Sequence, residues 1–406
     1  MGKWEMVRLG DVFPYIRNGA SIQQNKNVIG YPITRIETIA NGTINRDKMG
    51  YAGIEEIKPY SAYVLQDGDI LMSHINSVSH LGKVAIYNKQ QDETLIHGMN
   101  LLNLRADCNH VESLFAYYFF TSHNFKKQIP NITKNSVNQS SFNITALKEL
   151  QMPLPPLDVQ KRITDVLDCA AALIEKRKVQ IAKLDLLVKS QFAEMFVEGK
   201  YPMVKLEDIC GFITKGTTPP TNKLHSIPTE SSIPYLKVYN LSDSGELHFW
   251  EEPQYVDIES HNALLVRSKI YPDDVLMNIV GLPLGKFALV TNDFAEWNIN
   301  QAIAIFRSKE KVLPIYLLNA MMRPNVLRPF LDKAVGIRQI NLSLTQCRKL
   351  EIPLPPLDLQ QQFADFVRTL SRSRKEMQLG LDKLELLYTS LIQKCFAGEL
   401  IHDGKL

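Results

Sequence analysis

The sequence predicts an α/β protein of mixed α+β type. Two similar globular domains are separated by an antiparallel coiled coil of two long helices, with internal pseudo-two-fold symmetry. One observation is the hexapeptide Pro-Leu-Pro-Pro-Leu-Asp, which occurs at Pro153–Asp158 and again at Pro353–Asp358. Another is that a proline-free segment of about 40 residues follows each copy, at 158–197 and 358–397. A fainter repeat in the preceding residues completes the duplication.

The repeat around the hexapeptides has a constant spacing of 200 residues. Between 152–196 and 352–396, 14 of 45 positions are identical without a gap. In the globular regions the spacing drifts, as in Met6–Val12 against Met203–Ile209, so insertions there fall in loops. We therefore divide the chain into a first globular domain (1–152), a first long helix (153–199), a second globular domain (200–352), and a second long helix with a C-terminal tail (353–406).

Short apolar runs bounded by Gly, Asp and Asn predict the strands of the globular domains. These runs are Ile70–Met72, Val84–Tyr87, Leu101–Leu104, Val275–Met277 and Ala302–Phe306. Apolar residues at helical spacing predict helices over 111–128 and 312–332, the second with interruptions at Pro324 and Pro329.

Each long segment should form a helix roughly 55–60 Å in length, at about 1.5 Å per residue. Asp158 and Asp358 are the expected N-caps. Arg177 and Arg374 interrupt the apolar heptad pattern, where they either specify pairing or extend their side chains to solvent. The predicted seam positions are Ile163, Leu167, Ala170, Ile174, Ile181, Leu184, Val188 and Met195, then Phe363, Val367, Leu370, Met377, Leu381, Leu384, Tyr388, Leu391 and Cys395.

An apolar stripe of this length needs a partner, and the second copy supplies one within the same chain. If each helix leaves its own domain in the same local geometry, a two-fold relation makes the pair antiparallel. We therefore expect a rod with one domain at each end.

The composition and the motifs indicate no enzyme. Hydrophobic residues make up 45% of the chain and charged residues 22%, and no apolar run approaches a membrane span. Five dispersed cysteines predict free buried thiols and a cytoplasmic location. Nucleotide-binding, zinc and hydrolase motifs are absent. Asp67-Gly68-Asp69 and Pro272-Asp273-Asp274 could be metal carboxylates, but turns before strands explain them more simply. We predict no catalytic residue, cofactor or metal on this chain.

Cationic and amide side chains recur on loops at matching places in the two copies. Arg, Lys, Asn and Gln are the residues that reach phosphates and base edges of DNA, although any one of them could simply be solvated. The DNA-binding candidates in the first domain are Arg17, Asn18, Arg35, Ser73, His74, Asn76, Lys83, Lys134, Asn135 and Gln139. Those in the second are Lys215, Thr217, Lys237, Asn278, Lys286, Arg338 and Gln339.

The chain resembles the specificity subunits of Type I restriction–modification systems. Their Pro-Leu-Pro-Pro-Leu-x-x-Gln motif is present at Pro153–Gln160 and Pro353–Gln360. Their Val-x-Leu-Gly-Asp motif is present at Val7–Asp11, and in the second copy Glu207 replaces its glycine. The resemblance covers essentially the whole chain.

The resemblance implies that each globular domain is a target-recognition domain for one half of a split double-stranded DNA target. The helix pair would set the spacer, and half-sites about one turn apart, ~34–36 Å, would suit two linked readers. Two methyltransferase subunits and restriction subunits would be the protein partners. S-adenosylmethionine, ATP and Mg would bind to those partners.

Three other interpretations remain open at the level of sequence. The chain could be a non-catalytic coiled-coil scaffold that binds protein partners without reading DNA. It could be a nuclease or methyltransferase that lacks the usual motifs. It could also be a standalone specificity protein of Type II-like systems, which differs only in its partners.

Overall fold

The computed structural model describes residues 4–24, 30–39, 42–136, 139–197, 199–281, 284–331 and 341–399. The chain forms two compact units. Unit 1 comprises the described residues up to Arg177 together with those from Gly380 onward, and unit 2 comprises Lys178–Leu379. Each unit therefore contains the first half of one long helix and the second half of the other.

Unit 1 is built around a four-stranded antiparallel sheet with strand order β2-β8-β5-β7. The elements from the start of the chain to the first long helix are β1 (Met6–Arg8), α1 (Leu9–Val12), β2 (Tyr15–Asn18), β3 (Pro32–Ile33), β4 (Gly50–Tyr51), β5 (Ile70–Ser73), β6 (Ile75–Asn76), β7 (Val84–Ile86), β8 (Leu101–Arg105), α2 (Ser113–Thr121), α3 (His123–Lys126), α4 (Ile129–Ile132), β9 (Ser140–Ser141), α5 (Ile144–Lys148), β10 (Gln151–Pro153) and α6 (Leu157–Met195).

Unit 2 contains a sheet of the same design, with strand order β12-β20-β17-β18, and a second, five-stranded sheet. The elements from its start to the second long helix are β11 (Met203–Lys205), α7 (Leu206–Ile209), β12 (Cys210–Lys215), β13 (Leu224–His225), β14 (Ile233–Leu236), β15 (Tyr255–Val256), α8 (Ile258–Asn262), β16 (Lys269–Ile270), β17 (Val275–Asn278), β18 (Phe287–Leu289), β19 (Trp297–Ile299), β20 (Ile303–Ser308), α9 (Pro314–Met321), α10 (Pro324–Leu331), α11 (Leu344–Arg348), β21 (Glu351–Pro353) and α12 (Leu357–Ala397).

Both four-stranded sheets are covered on both faces, which explains their continuous apolar strands. In β5, Ile70 and Met72 pack among the helices, whereas Leu71 packs in a second cluster on the other face. In β17, Val275 and Met277 do the same, and Leu276 faces away. Successive side chains of a strand point to opposite faces, so a strand covered on both sides must be apolar throughout. All five strands predicted from apolar runs are present.

The repeated proline motif forms the same joint in both units. The buried Gln160 amide accepts a hydrogen bond from the backbone N–H of Glu112 (2.9 Å) and donates to the carbonyls of His110 and Pro155 (both 2.8 Å). Gln360 accepts from Leu313 N–H (2.9 Å) and donates to Lys311 and Pro355 carbonyls (3.2 and 2.9 Å). Glu112 and Leu313 are the N-cap residues of α2 and α9, so each glutamine ties the first turn of a long helix to its domain.

The long helices run antiparallel within each unit, as predicted. In unit 1, the end of α12 meets the start of α6: Phe396 shares a core with Val159 and Ile163, and Gly380 lies beside Arg177. In unit 2, Phe196 lies 5.5 Å from Phe363 between ring centroids, and Asp185 faces Arg374. Residues with higher numbers in α6 thus contact residues with lower numbers in α12, as antiparallel packing requires.

The predicted seam positions are all buried or half-buried, so the heptad assignment is confirmed. Arg374 Nε lies 3.2 Å from Asp185 Oδ1, and its Nη1 also pairs with Glu246. For Arg374 the pairing interpretation is therefore the one observed. Arg177 places Nη1 against Gly380, where a Cβ atom would lie 3.1 Å away.

Four sequence expectations need correction. Asp158 and Asp358 are not N-caps, because both helices begin one residue earlier and the carbonyls of Pro156 and Pro356 accept the first hydrogen bonds. The helix expected over 111–128 breaks at Ser122, whose hydroxyl caps α3.

Within 312–332, the interruption expected at Pro324 is confirmed, because α9 ends at Met321 and Pro324 starts α10, where no N–H is required. The interruption expected at Pro329 is wrong, because Pro329 lies inside α10. All five cysteines are free, but Cys108 and Cys169 are exposed rather than buried.

Candidate nucleic-acid interface

One end of the unit 1 sheet gathers most of the predicted DNA-binding residues. Because neighbouring strands are antiparallel, β2 and β5 end where β7 and β8 begin. Asn18 pairs with Leu102, Ser73 pairs with Leu101, and Ser73 N–H donates to the Lys83 carbonyl (2.9 Å). Residues that are distant in the chain thereby meet at one place, which we call the cationic end of unit 1.

A separate pair of short strands follows this end of the sheet. Strand β6 pairs with β9, which places Asn76 opposite Ser140. The Lys134 N–H donates to Ser141 O (2.8 Å), and the Asn135 side-chain oxygen accepts from the Ser140 hydroxyl (2.9 Å). Lys134, Asn135 and Gln139 are exposed on the segment that leads into β9, the strand that pairs with Asn76.

The charge of the cations at this end is not balanced by any carboxylate that the structure describes. Within the described part of the chain, Arg17, Lys83 and Lys134 form no ion pair with a carboxylate. Other cations of unit 1 are neutralised: Arg105 pairs with the buried Asp69 (2.7 Å) and Arg46 with Glu93 (2.6 Å). Unpaired positive charges clustered at one place favour a polyanionic partner.

The Arg17 guanidinium is held in place by aromatic contacts. Its Nη2 donates to the Tyr63 hydroxyl (2.9 Å), and the guanidinium lies 4.2 Å from the Tyr63 ring centroid. The Tyr63 ring in turn packs on His97. His97 is fully buried, and that burial lowers the pKa of its imidazole to about 4. The imidazole on which Tyr63 packs is therefore neutral at pH 7.

Three predicted residues of the first domain do not present free side chains. Ser73 is buried, accepts from Lys83 N–H (3.2 Å) and donates to the His80 carbonyl. His74 is buried against Phe142, and desolvation lowers its pKa. Arg35 pairs with Glu37 (3.2 Å), and its guanidinium fills the space beside Gly50. Of these residues, Ser73 and His74 support the cationic end from the interior of the domain.

Unit 2 has a corresponding cationic end, where β12 and β17 finish and β18 and β20 begin. Lys215 is exposed at the end of β12, opposite Ala304. Asn278 is buried and accepts from Lys286 N–H (2.6 Å), which reproduces the role of Ser73. Lys215, Lys237 and Lys286 have no ion pair among the described residues.

The structure adds a residue that the sequence pattern did not identify. Arg267, on the 3₁₀ turn Val266–Ser268, is exposed, and its Nε donates to Thr217 Oγ1 (3.1 Å). The two positions are 50 residues apart, so only the fold reveals the contact. Lys237 lies just after β14 with its Nζ 5.9 Å from the Tyr239 ring centroid. Arg338 and Gln339 lie outside the described residues.

The aspartates considered as metal ligands serve structural roles. Asp69 accepts from Arg105, from Asn103 (2.8 Å) and from the Gln66 backbone (2.8 Å). Asp274 pairs with Arg307 in the same way (2.7 Å). Among the described residues, no group of three or more His, Cys, Asp or Glu side chains could hold a metal ion.

The long helices carry a second feature that the duplication repeats. Leu186 and Leu187 on α6 and Leu386 and Leu387 on α12 are large apolar side chains with exposed fractions of 61, 45, 73 and 64%. Exposed apolar clusters of this kind commonly mark protein–protein contacts. None of the helices in the described ranges combines the length and apolar composition needed to cross a membrane.

Comparisons with known proteins agree with this organisation. The Type I restriction modification DNA specificity domain matches residues 1–183 and again residues 198–382. The MjaX type I restriction enzyme specificity subunit of Methanocaldococcus jannaschii is 31% identical over 416 residues, covering 96% of this chain and 94% of the relative. The EcoKI specificity subunit of Escherichia coli K12 is 26% identical over 198 residues, covering 48% of this chain and 42% of that protein.

Solved structures show the same fold. A chain solved in work on the complex assembly and conformational transition of the type I R-M system aligns with a TM-score of 0.58 and 16% identity, covering 98% of both chains. The S subunit of a Type-I restriction-modification system from M. genitalium aligns with a TM-score of 0.52 and 15% identity, covering 97% of this chain and 96% of that one.

Proposed function

The chain belongs to the family of Type I restriction–modification specificity subunits, and from this premise we propose that each of its units reads one half of a split double-stranded DNA target. The observation that carries the proposal is the cationic end found in both units. Each consists of exposed or half-buried cations without carboxylate partners among the described residues, at the corresponding end of the same kind of sheet. DNA phosphates would supply the missing negative charge, and neighbouring side chains would contact base edges.

The two cationic ends differ in detail, which suits two different half-sites. The first offers Arg17, Asn76, Lys134 and Asn135, and the second offers Lys215, Thr217 and Lys286. Base readout depends on the donors and acceptors that reach the groove, so different residues select different sequences. The helix pair, whose pattern is conserved between the copies, would set the spacer between the half-sites.

The protein partners would be two methyltransferase subunits and the restriction subunits. The exposed leucine pairs of α6 and α12 give two equivalent apolar contact sites, one for each methyltransferase subunit. Methylation and cleavage would take place on these partners, which would bind S-adenosylmethionine, ATP and Mg. The chain itself would be non-catalytic and would work in the cytoplasm.

Selection from a randomised duplex DNA library tests the two-reader proposal. The full-length chain, alone and in complex with its methyltransferase subunits, should enrich two defined blocks separated by an unspecified spacer. Lys134→Ala and Lys215→Ala should each weaken selection in one block only. Equal loss in both blocks would contradict the assignment of one unit to each half-site.

A salt series separates this proposal from a scaffold that binds no DNA. Binding through several phosphates should weaken steeply as salt rises, and loss of one phosphate contact should reduce the slope of log K against log salt by about 1. Lys311→Ala removes a charge beyond the opposite end of the unit 2 sheet and should leave that slope unchanged. If the wild-type chain binds no duplex DNA, either alone or in complex with its methyltransferase subunits, the scaffold function would be favoured instead.

A further inference from the structure

Arg267 is the side chain at the cationic end of unit 2 whose geometry is best suited to reading a base. Its turn is fixed by the buried Leu265, whose carbonyl accepts from Ser268 N–H (2.8 Å), and by β16, which follows and pairs with β19. The backbone that carries this arginine is therefore anchored to the five-stranded sheet.

The partner of Arg267 is fixed just as firmly. Thr217 N–H donates to Ile299 O (3.2 Å), and the Thr217 carbonyl accepts from the Tyr235 hydroxyl (3.0 Å). The preceding Gly216 lies so close to β19 and its following turn that a Cβ atom would be 2.2 Å from the Asn300 carbonyl oxygen. The Thr217 hydroxyl is thus a rigid acceptor for Arg267 Nε.

Tethering by Nε leaves the rest of the guanidinium available. Neither Nη group of Arg267 has a hydrogen-bond or ion-pair partner within the described ranges. A guanidinium presents its donors in a fixed planar fork, so fixing Nε also fixes the direction of the fork. A forked pair of donors matches O6 and N7 of guanine in the major groove, the commonest specific arginine contact.

Unit 1 also contains a tethered guanidinium, but there the strand and the 3₁₀ segment exchange the roles of arginine and tether. There the arginine, Arg17, is on the strand, and the 3₁₀ segment supplies the tether, Tyr63. In unit 2 the 3₁₀ turn supplies the arginine, and the residues after the strand supply the tether. Both contacts involve a residue close in sequence to the glycine that follows the first strand of the sheet: Arg17 is two residues before Gly19, and Thr217 directly follows Gly216. The feature common to the units is a pre-oriented guanidinium at that place.

We infer that Arg267 determines the specificity of the second half-site by bidentate recognition of a guanine, and that Thr217 is its positioning residue. The inference rests on the proposed function of unit 2 as a DNA reader. It adds the class of base recognised and the residue that recognises it, neither of which follows from membership of the family.

The test uses the same randomised duplex library with the full-length chain, alone and in complex with the methyltransferase subunits. Arg267→Ala and Arg267→Lys should each remove the preference for guanine at one position of one block, by about 5- to 150-fold, the range for one bidentate base contact. Lysine keeps the charge but lacks the fork, so its failure to rescue distinguishes base reading from charge alone. Thr217→Val should relax the same position partly, and Thr217→Ser, which retains the hydroxyl, should restore it.

The possible outcomes distinguish a failure of guanine recognition by Arg267 from a failure of DNA reading by unit 2. Lys311→Ala is the matched control and should leave the selected motif unchanged, and thermal unfolding should show that all variants remain folded. An unchanged motif in Arg267→Ala would overturn the inference, as would a loss of affinity that is uniform across sequences, since that indicates a phosphate contact. A wild-type chain that selects no sequence in either form would refute the proposed function, and the inference with it.

Discussion

At the scale of single residues, the same side chain has different roles depending on what surrounds it. Arg17 and Arg35 were equivalent candidates in the sequence, yet Arg17 is tethered at the cationic end whereas Arg35 is neutralised by Glu37. Sequence could locate the loops that carry cations, because loops between apolar strands are recognisable. It could not separate paired from unpaired cations, because the partners are often tens of residues away, as Glu93 is from Arg46.

The motif glutamines show the same limit and allow a direct test. The repeat indicated that Gln160 and Gln360 matter, but their bonds to residues near positions 110 and 311 were not visible in the motif. Gln360→Glu at pH 7 replaces two donated hydrogen bonds with a buried carboxylate facing two carbonyl oxygens. We expect a loss of unfolding free energy of roughly 2–4 kcal/mol, measured by urea denaturation.

The neighbouring Gln362→Glu is the matched control, because Gln362 is exposed on the same helix. It should change stability by less than about 0.5 kcal/mol. Equal effects of the two substitutions would show that the buried amide does not hold the helix to its domain.

At the scale of elements, the long periodic helices were predictable and the short breaks were not. The heptad pattern extends over about 40 residues, so its signal is strong and its seam was assigned correctly. The break at Ser122 depends on one hydroxyl, which accepts a hydrogen bond from the Phe125 N–H and so caps α3 between two apolar helical segments. The register of the helix pair depends on contacts such as Arg374 with Asp185, which periodicity alone does not reveal.

Gly380 is the one glycine within the long helices, and its neighbour Arg177 gives it a role. Replacing glycine with alanine inside a helix normally stabilises it by about 1 kcal/mol. Here the new Cβ atom would lie 3.1 Å from Arg177 Nη1, so the arginine must move. We expect Gly380→Ala to raise the unfolding free energy less in the wild type than in an Arg177→Met background.

A double-mutant cycle from urea denaturation measures this coupling. Met is a suitable replacement because Met377 occupies the corresponding position of the second helix. The full benefit of about 1 kcal/mol should appear only when Arg177 is absent. Identical benefits in both backgrounds would mean that Arg177 and Gly380 are not in contact in solution.

At the scale of the whole molecule, the duplication implies a partner stoichiometry. Each unit combines a globular domain with halves of both long helices, and each contains one exposed leucine pair. Leu386 and Leu387 belong to unit 1, and Leu186 and Leu187 belong to unit 2. Because both pairs lie at identical repeat positions, two equivalent contacts for two identical partner subunits follow from the proposed function.

Substituting one pair should therefore remove one partner and retain the other. Leu386→Glu with Leu387→Glu places charge on an exposed surface, so thermal stability should change little, whereas burial of those charges in an interface is costly. Native mass spectrometry of the complex should show one methyltransferase subunit per chain in place of two, and none when Leu186 and Leu187 are also substituted.

Lys394→Glu, an exposed charge change farther along α12, is the control and should retain both methyltransferase subunits. If the double substitution still binds two subunits, the leucine pairs are not the docking sites, and the partners must be held by other surfaces of the two units.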